Sequence, residues 1–178
     1  MSNFKPRWLI AGGWAIDLFF GKETRPHQDI EIAVLRRDQT IIRDYFDGWQ
    51  FRKIAGGKKE VWQRGEWLAL PVHEIHCLNE LMPPTQIEIL LNESNETEWI
   101  YRRNDKVRRP LDKIQLERGA GVKFLCPEIV LLYKSKLPRA KDERDFLAVV
   151  ERLDAERKKW LKDAIEVCDS KHPWLQSL

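Results

Sequence analysis

Two glycines and a spaced pair of acids carry the chemistry this sequence can do. Gly12-Gly13 closes the apolar run at residues 8–11 and opens a helical pattern. The loop Thr24-Arg25-Pro26-His27-Gln28 then leads into Asp29-Ile30-Glu31. Glycine lets a backbone approach a phosphate closely, and a helix start offers free N–H donors and a positive dipole end. On a strand, residues i and i+2 point the same way with Cα atoms about 6.5 Å apart. Asp29 and Glu31 can therefore meet one cation, and carboxylates are the hard ligands that Mg²⁺ prefers. Glu88, between Ile87 and Ile89, is the natural third acid, because an unpaired carboxylate in an apolar strand is costly. Taken singly, a glycine pair is most often a turn, and alternating acids are most often the solvent face of an edge strand. The conjunction of glycine pair, helix, acid pair and later acid is far rarer.

Those residues need a sheet and helices to hold them. Residues 8–11 read as a strand and 14–20 as a helix stopped by Gly21. Residues 30–35 read as a strand with Ile30, Ile32 and Val34 on one face. Asp38 can cap a helix to about Phe46. Strands are expected over 49–55 and 66–70, around turns at Gly56-Gly57 and Gln63-Arg64-Gly65. Residues 72–81 are ambiguous, and Pro83-Pro84 breaks the chain. Residues 86–91 form an apolar strand, with shorter ones expected at 99–102, 107–114 and 123–125. Pro127 suits a first helical position, and helices are predicted from there to Leu137, over 141–153 and over 155–168. The expected organisation is a single α/β (α+β) domain over 1–178. It comprises a sheet-containing core to residue 120 and a helical part over 121–178, on a twisted mixed sheet flanked by helices.

Composition narrows the class. A chain of 178 residues with 43% hydrophobic and 33% charged residues can bury a core and stay dissolved. The net charge of +3 lacks the basic excess of a dedicated nucleic-acid binder, so nucleic acid is not the expected partner. Cys77, Cys126 and Cys168 form no CxxC pair and read as reduced thiols of a cytoplasmic protein. No apolar run reaches transmembrane length and no signal-peptide core is evident, so no membrane partner is expected. Of eight tryptophans, most should be core, and Trp62 and Trp67 are expected to border the cleft.

The segment Ala11-Gly12-Gly13-Trp14-Ala15-Ile16-Asp17, with Thr24-Arg25-Pro26-His27-Gln28-Asp29-Ile30-Glu31-Ile32, resembles the aminoglycoside 2''-adenylyltransferase group of the polymerase-beta-like nucleotidyltransferase superfamily. The stretch from Pro127 to Lys136, with Arg139 to Phe146, is similar to the same group. The resemblance implies a nucleotidyltransferase fold and transfer of a nucleoside monophosphate from an NTP, ATP by the group's habit, to a hydroxyl of a small molecule. It implies Mg²⁺ or Mn²⁺ held by Asp29, Glu31 and Glu88, with Glu88 as metal ligand or general base. It implies triphosphate on Gly12 and Gly13. From their own positions Arg25, flanking the approach to Asp29, and Lys134, if it enters the cleft, are the candidate phosphate contacts, or else Arg25 only shapes the loop. The chain departs from the pattern at Glu31, where the usual second acid is aspartate, and at Glu88. These departures keep open a nucleotide- or partner-binding protein without turnover. The basic cluster Arg102-Arg103, Lys106, Arg108-Arg109 keeps open an enzyme that nucleotidylates RNA or protein, or a solvated loop.

Other residues have ordinary explanations beside functional ones. Asp17 can orient Arg25 or His27, or be a surface acid. Lys134 and Lys136, two apart on a helix, do not share a face, so at most one enters the cleft. Asp142 and Asp145 complement a helix dipole. His73 and His76 read as core or surface residues, since no third metal ligand accompanies them. The charged run 151–162 reads as a solvated helix face.

Overall fold

The computed structural model of the chain describes residues 1, 3–81 and 86–178. The chain runs β1 (Trp8–Ile10), α1 (Gly12–Phe20), β2 (Ile30–Leu35), α2 (Gln39–Tyr45), β3 (Gln50–Ala55), β4 (Lys58–Val61), β5 (Glu74–Leu78) and β6 (Gln86–Ser94). Then come β7 (Glu98–Ile100), β8 (Arg108–Pro110), β9 (Gln115–Arg118), β10 (Val122–Leu125), α3 (Pro127–Lys134), α4 (Ala140–Val150) and α5 (Ala155–Cys168). The expected mixed α/β plan holds.

The main sheet has strand order β4-β3-β5-β6-β2-β1-β10-β9, with β7 and β8 branching from the far end of β6. At its centre β2 and β6 run parallel, flanked by antiparallel β1 and β5. The alternation read in β2 sorts side chains to two cores. Ala33 and Leu35 face α1, α3, α4 and α5, while Ile32 and Val34 face α2, Phe51 and Trp62. Core residues on the first side come from Leu9 through Trp174, so the C-terminal helices pack directly on the sheet half.

Helix ends follow local chemistry. Gly21 takes the left-handed conformation at φ 73° that closes α1. Pro127 occupies the first turn of α3. The Asp154 carboxylate accepts from the Arg157 amide at 2.8 Å and starts α5. In α4 the buried positions Asp142, Asp145, Phe146 and Val149 keep helical spacing, so two acids share the inward stripe.

Several sequence expectations need correction. Residues 66–70 are not a strand. The partner of β3 is the charged edge strand Lys58–Val61, paired from Arg52↔Val61 to Ala55↔Lys58 around the glycine turn. Residues 63–70 instead cover the α2-side core, with Trp62 donating to the Glu66 carbonyl. Trp62 therefore lies on the sheet face away from Glu31 and does not border the acids. Residues 111–113 form a 3₁₀ turn, and β9 was not anticipated. Asp38 sits at the start of α2 without a side-chain cap, because a 3₁₀ turn leads in instead. Pro83-Pro84 lies outside the described residues.

Candidate nucleotide and metal site

The register of β2 against β6 decides where the acids stand. Glu31 lies opposite Glu88, and Glu88 lies opposite His76 on β5. Registered side chains on neighbouring strands share a face at about 4.8 Å spacing. Glu31, Glu88 and His76 thus form a row across three strands, with Asp29 two residues before Glu31 at the mouth of β2. The acids feel one another. Burial, then the nearby Asp29 charge, pushes the Glu31 carboxyl above its ordinary value, against the opposing pull of Lys134, the Gly13 amide and Lys141. Burial also raises Glu88; His76 opposes this, while Asp29, Glu74 and Glu31 add to it. Buried carboxylates with a raised proton affinity, as at Glu31 and Glu88, lack counter-charge. A divalent cation would supply it, and carboxylates suit one, though among the described residues the donors that already converge within 4.8 Å are Glu74, His76 and Glu88.

The glycine pair closes the site from the α1 side. The Ala11 amide donates to the Glu31 carbonyl at 2.8 Å, tying the loop to β2. Gly12 has φ +55°, and a Cβ there would overlap the Glu31 carboxylate. A Cβ on Gly13 would run into His27 and Arg25. A side chain at either position would have to displace these neighbours, and at Gly12 the positive φ favours glycine as well. Trp14 donates from its indole to the Asp29 carbonyl at 3.0 Å and lies against the His27 ring, which fixes the strand entry.

Behind the loop runs a chain of hydrogen bonds and ion pairs. Asp17 is buried and contacts Thr24 and, at 2.6 Å, His27 Nε2. Arg25 reaches His27 Nδ1 at 3.0 Å and the Asp145 carboxylate at 3.5 Å. Lys134 contacts Asp142 at 2.6 Å and Asp145 at 2.9 Å. Asp142 also receives Arg139 at 2.8 Å. Asp142 and Asp145 are thus buried ion-pair partners, more than dipole complements at a helix start. Of the two lysines on this turn, Lys134 points inward and Lys136 is exposed. Charge from Lys134 and Lys141 reaches Glu31, and Glu31 in turn acts on Arg139. The helical part therefore brings cations up to the acid row.

Glu74 was not among the expected site residues, and His76, read above as a core or surface residue, stands beside it. Glu74 and His76 project beside Glu88, with His76 Nε2 2.8 Å from Glu74 Oε1 and Nδ1 3.6 Å from Glu88 Oε1. The signal was an acid and a histidine two apart, as at Asp29 and Glu31, hidden by the ambiguity of residues 72–81. His73 is apart from this group, its ring against the Pro71 carbonyl at 2.8 Å.

The basic cluster is largely structural. Arg109 is buried against Glu128 at 2.7 Å and over the Trp160 ring, and Arg157 reaches the same carboxylate at 2.8 Å. Arg102 and Arg103 lie over Tyr133. Arg157 also qualifies the reading of 151–162 as wholly solvated. No helix among the described residues is long and apolar enough to cross a membrane.

The model of the family described as aminoglycoside-2''-adenylyltransferase matches residues 1–61, the span holding both glycines, Asp29 and Glu31. No curated protein sequence matches the chain. Among solved structures, the solution structure of ANT(2'')-Ia superposes with a TM-score of 0.57 at 16% identity, over 93% of this chain and 84% of that one. ANT(2'')-Ia with adenylyl-2''-tobramycin gives 0.54 at 15% identity, over 90% and 87%. The lincomycin-bound lincosamide antibiotic adenylyltransferase LnuA gives 0.52 at 19% identity, over 78% and 82%. The chain therefore has the nucleotidyltransferase fold and, in its N-terminal third, the sequence pattern of the aminoglycoside adenylyltransferase-like group.

Proposed function

We propose that this chain is a metal-dependent nucleotidyltransferase that moves AMP from ATP to a hydroxyl of a small, polyhydroxylated acceptor resembling an aminoglycoside. The observation that supports it best is the acid row: Glu31 and Glu88 share one sheet face, with Asp29 just before β2 acting on both, beside a glycine pair packed against the Glu31 carboxylate, His27 and Arg25. Asp29, Glu31 and Glu88 would hold Mg²⁺ or Mn²⁺, which supplies charge neutralisation at the α-phosphate. The Gly12 and Gly13 backbone would lie along the triphosphate, with Arg25 and Lys134 exchanging Asp145 for phosphate oxygens. Glu88 would take the acceptor's hydroxyl proton. That oxygen forms a new bond to the α-phosphorus as the bond to the pyrophosphate oxygen breaks, and pyrophosphate leaves. Glu88's raised proton affinity suits a base that must hold that proton. Positioning and electrostatics carry most of such a reaction.

The acceptor is expected beside the acid row, between the sheet half and the C-terminal helices. We take the chain as one catalytic domain, and cytoplasmic use of ATP agrees with its free cysteines. The test is incubation with α-labelled ATP, GTP, CTP or UTP, Mg²⁺ and a panel of aminoglycosides and other amino-sugars. Label on a small molecule with pyrophosphate release supports the proposal. Label on RNA or protein, or nucleotide binding with no pyrophosphate from any acceptor, overturns it.

A further inference from the structure

We propose a second cation site beside the first, in which Glu74 and His76 of β5 and Glu88 of β6 hold a divalent transition-metal ion of the Mn²⁺, Co²⁺ or Zn²⁺ class. Its placement next to a nucleotide-binding acid row rests on the function proposed above, because Glu88 is shared; its own three ligands do not.

The strand pairing builds the site. His76 stands opposite Glu88, and Glu74 precedes His76 by two residues on the same face. One donor atom from each of the three side chains lies within 4.8 Å of the others, close enough for one ion to reach all three. The imidazole is buried, with 9% of its side chain accessible, so its orientation is set by the sheet and by Glu74 at 2.8 Å.

The second ring nitrogen is poorly served. Nδ1 faces Glu88 Oε1 at 3.6 Å, and the groups able to donate between them stand far off. Lys59 Nζ is 3.3 Å from Nδ1; the Gln86 amide is 3.5 Å from Nδ1 and 3.4 Å from Glu88 Oε1. These lengths sit at the weak end for hydrogen bonds. The Nδ1 nitrogen and a carboxylate oxygen therefore face each other with the Lys59 ammonium loosely held beside them and Arg52 opposite His76 on β3. Lys59 belongs to an exposed edge strand and can leave without unburying anything. Glu74, about one third accessible, gives an ion its way in.

The donor set also sets the metal. One imidazole with two carboxylates favours borderline first-row ions in the order Mn²⁺ below Co²⁺, whereas oxygen-only ligands suit Mg²⁺. Asp29 and Glu31 offer only oxygen. The row thus grades from a hard site at β2 to a mixed nitrogen–oxygen site at β5, joined at Glu88.

Binding is read on the metal-stripped, nucleotide-free protein. Titration with Mn²⁺, followed by calorimetry and by pulsed electron paramagnetic resonance, is expected to show an ion coupled to a histidine nitrogen. His76→Gln is expected to abolish that coupling and to weaken Co²⁺ binding by about tenfold or more. Asp29→Asn is expected to keep both. Should His76→Gln fail to fold, Glu74→Gln reads the same site and is expected to weaken Co²⁺ similarly. No nitrogen coupling in the unsubstituted protein, or Co²⁺ binding unchanged in a folded His76→Gln or Glu74→Gln, overturns the inference. Pyrophosphate release with Mg²⁺ is measured apart: its absence alongside intact nitrogen coupling strikes the proposed function and leaves this site standing.

Discussion

Gly12→Ala should cost more than its backbone angle alone, and the excess should trace to Glu31. At φ +55° an L-residue is strained by about 1–2 kcal/mol. The new Cβ would also overlap the Glu31 carboxylate, which must swing away from the Gly13 amide that favours its charge. Losing a hydrogen bond to a charged group costs about 1.5–3 kcal/mol. The two together give about 2.5–5 kcal/mol, or a melting temperature lower by roughly 5–20 °C for a chain of this size. Gly48→Ala is the control: its φ is +84° and nothing lies within 4 Å of an added Cβ, so only the backbone term of about 1–2 kcal/mol applies. Denaturant unfolding of Gly12→Ala, Glu31→Ala and the pair closes a double-mutant cycle. Removing the Glu31 side chain takes away the obstruction, so the pair should be non-additive by about 1.5–3 kcal/mol. Additivity within about 0.5 kcal/mol, or a Gly12→Ala cost no greater than that of Gly48→Ala, would refute the packing of glycine against carboxylate.

Other substitutions test the surrounding charges. In the metal-free protein the Glu31 carboxyl binds its proton more tightly folded than unfolded, so its ionisation lowers stability as pH rises past the ordinary glutamate range near about 4.3. Glu31→Gln should therefore raise the melting temperature at pH 7 and lose that advantage below about pH 4; a gain independent of pH would contradict this. Glu128→Gln leaves Arg109 and Arg157 facing a neutral amide in the core and should cost about 3–5 kcal/mol in urea unfolding. Asp142 is pushed up by burial, yet hydrogen bonds from Arg139 and Lys134 hold it well below the usual carboxylate range. Its contribution is present above the unfolded aspartate value and fades as pH falls. Lys134→Met should make that acid-side loss shallower in thermal melts taken from pH 6 to 2, and an unchanged profile would count against the pair.

The parts of the fold that obey local rules were legible in the sequence. The helix from the glycine pair to Gly21, the strand carrying Glu31, the Pro127 helix start and the helix at 155–168 all follow from period, glycine and capping residues. What stayed hidden depends on pairing. Nothing local says that β3 turns back on Lys58–Val61 rather than on 66–70, because β4 is a charged edge strand with no apolar face. The candidate site divides the same way. Asp29 and Glu31 are readable because spacing puts them on one face, and Glu88 because it interrupts an apolar run. Their meeting is a matter of β2–β6 register. His76 joined them only through β5–β6 pairing, and Asp145 met Arg25 and Lys134 only through the packing of α4. Trp62 shows the converse: near in sequence, it is on the opposite sheet face.

The central claim is that Asp29 and its partners organise metal-dependent nucleotidyl transfer. The most direct measurement is pyrophosphate release from ATP in the presence of an accepted amino-sugar, comparing the unsubstituted protein with Asp29→Asn at saturating Mg²⁺ and after chelation. The account predicts release that stops on chelation and falls to background in a folded Asp29→Asn. Release that survives either perturbation would contradict it.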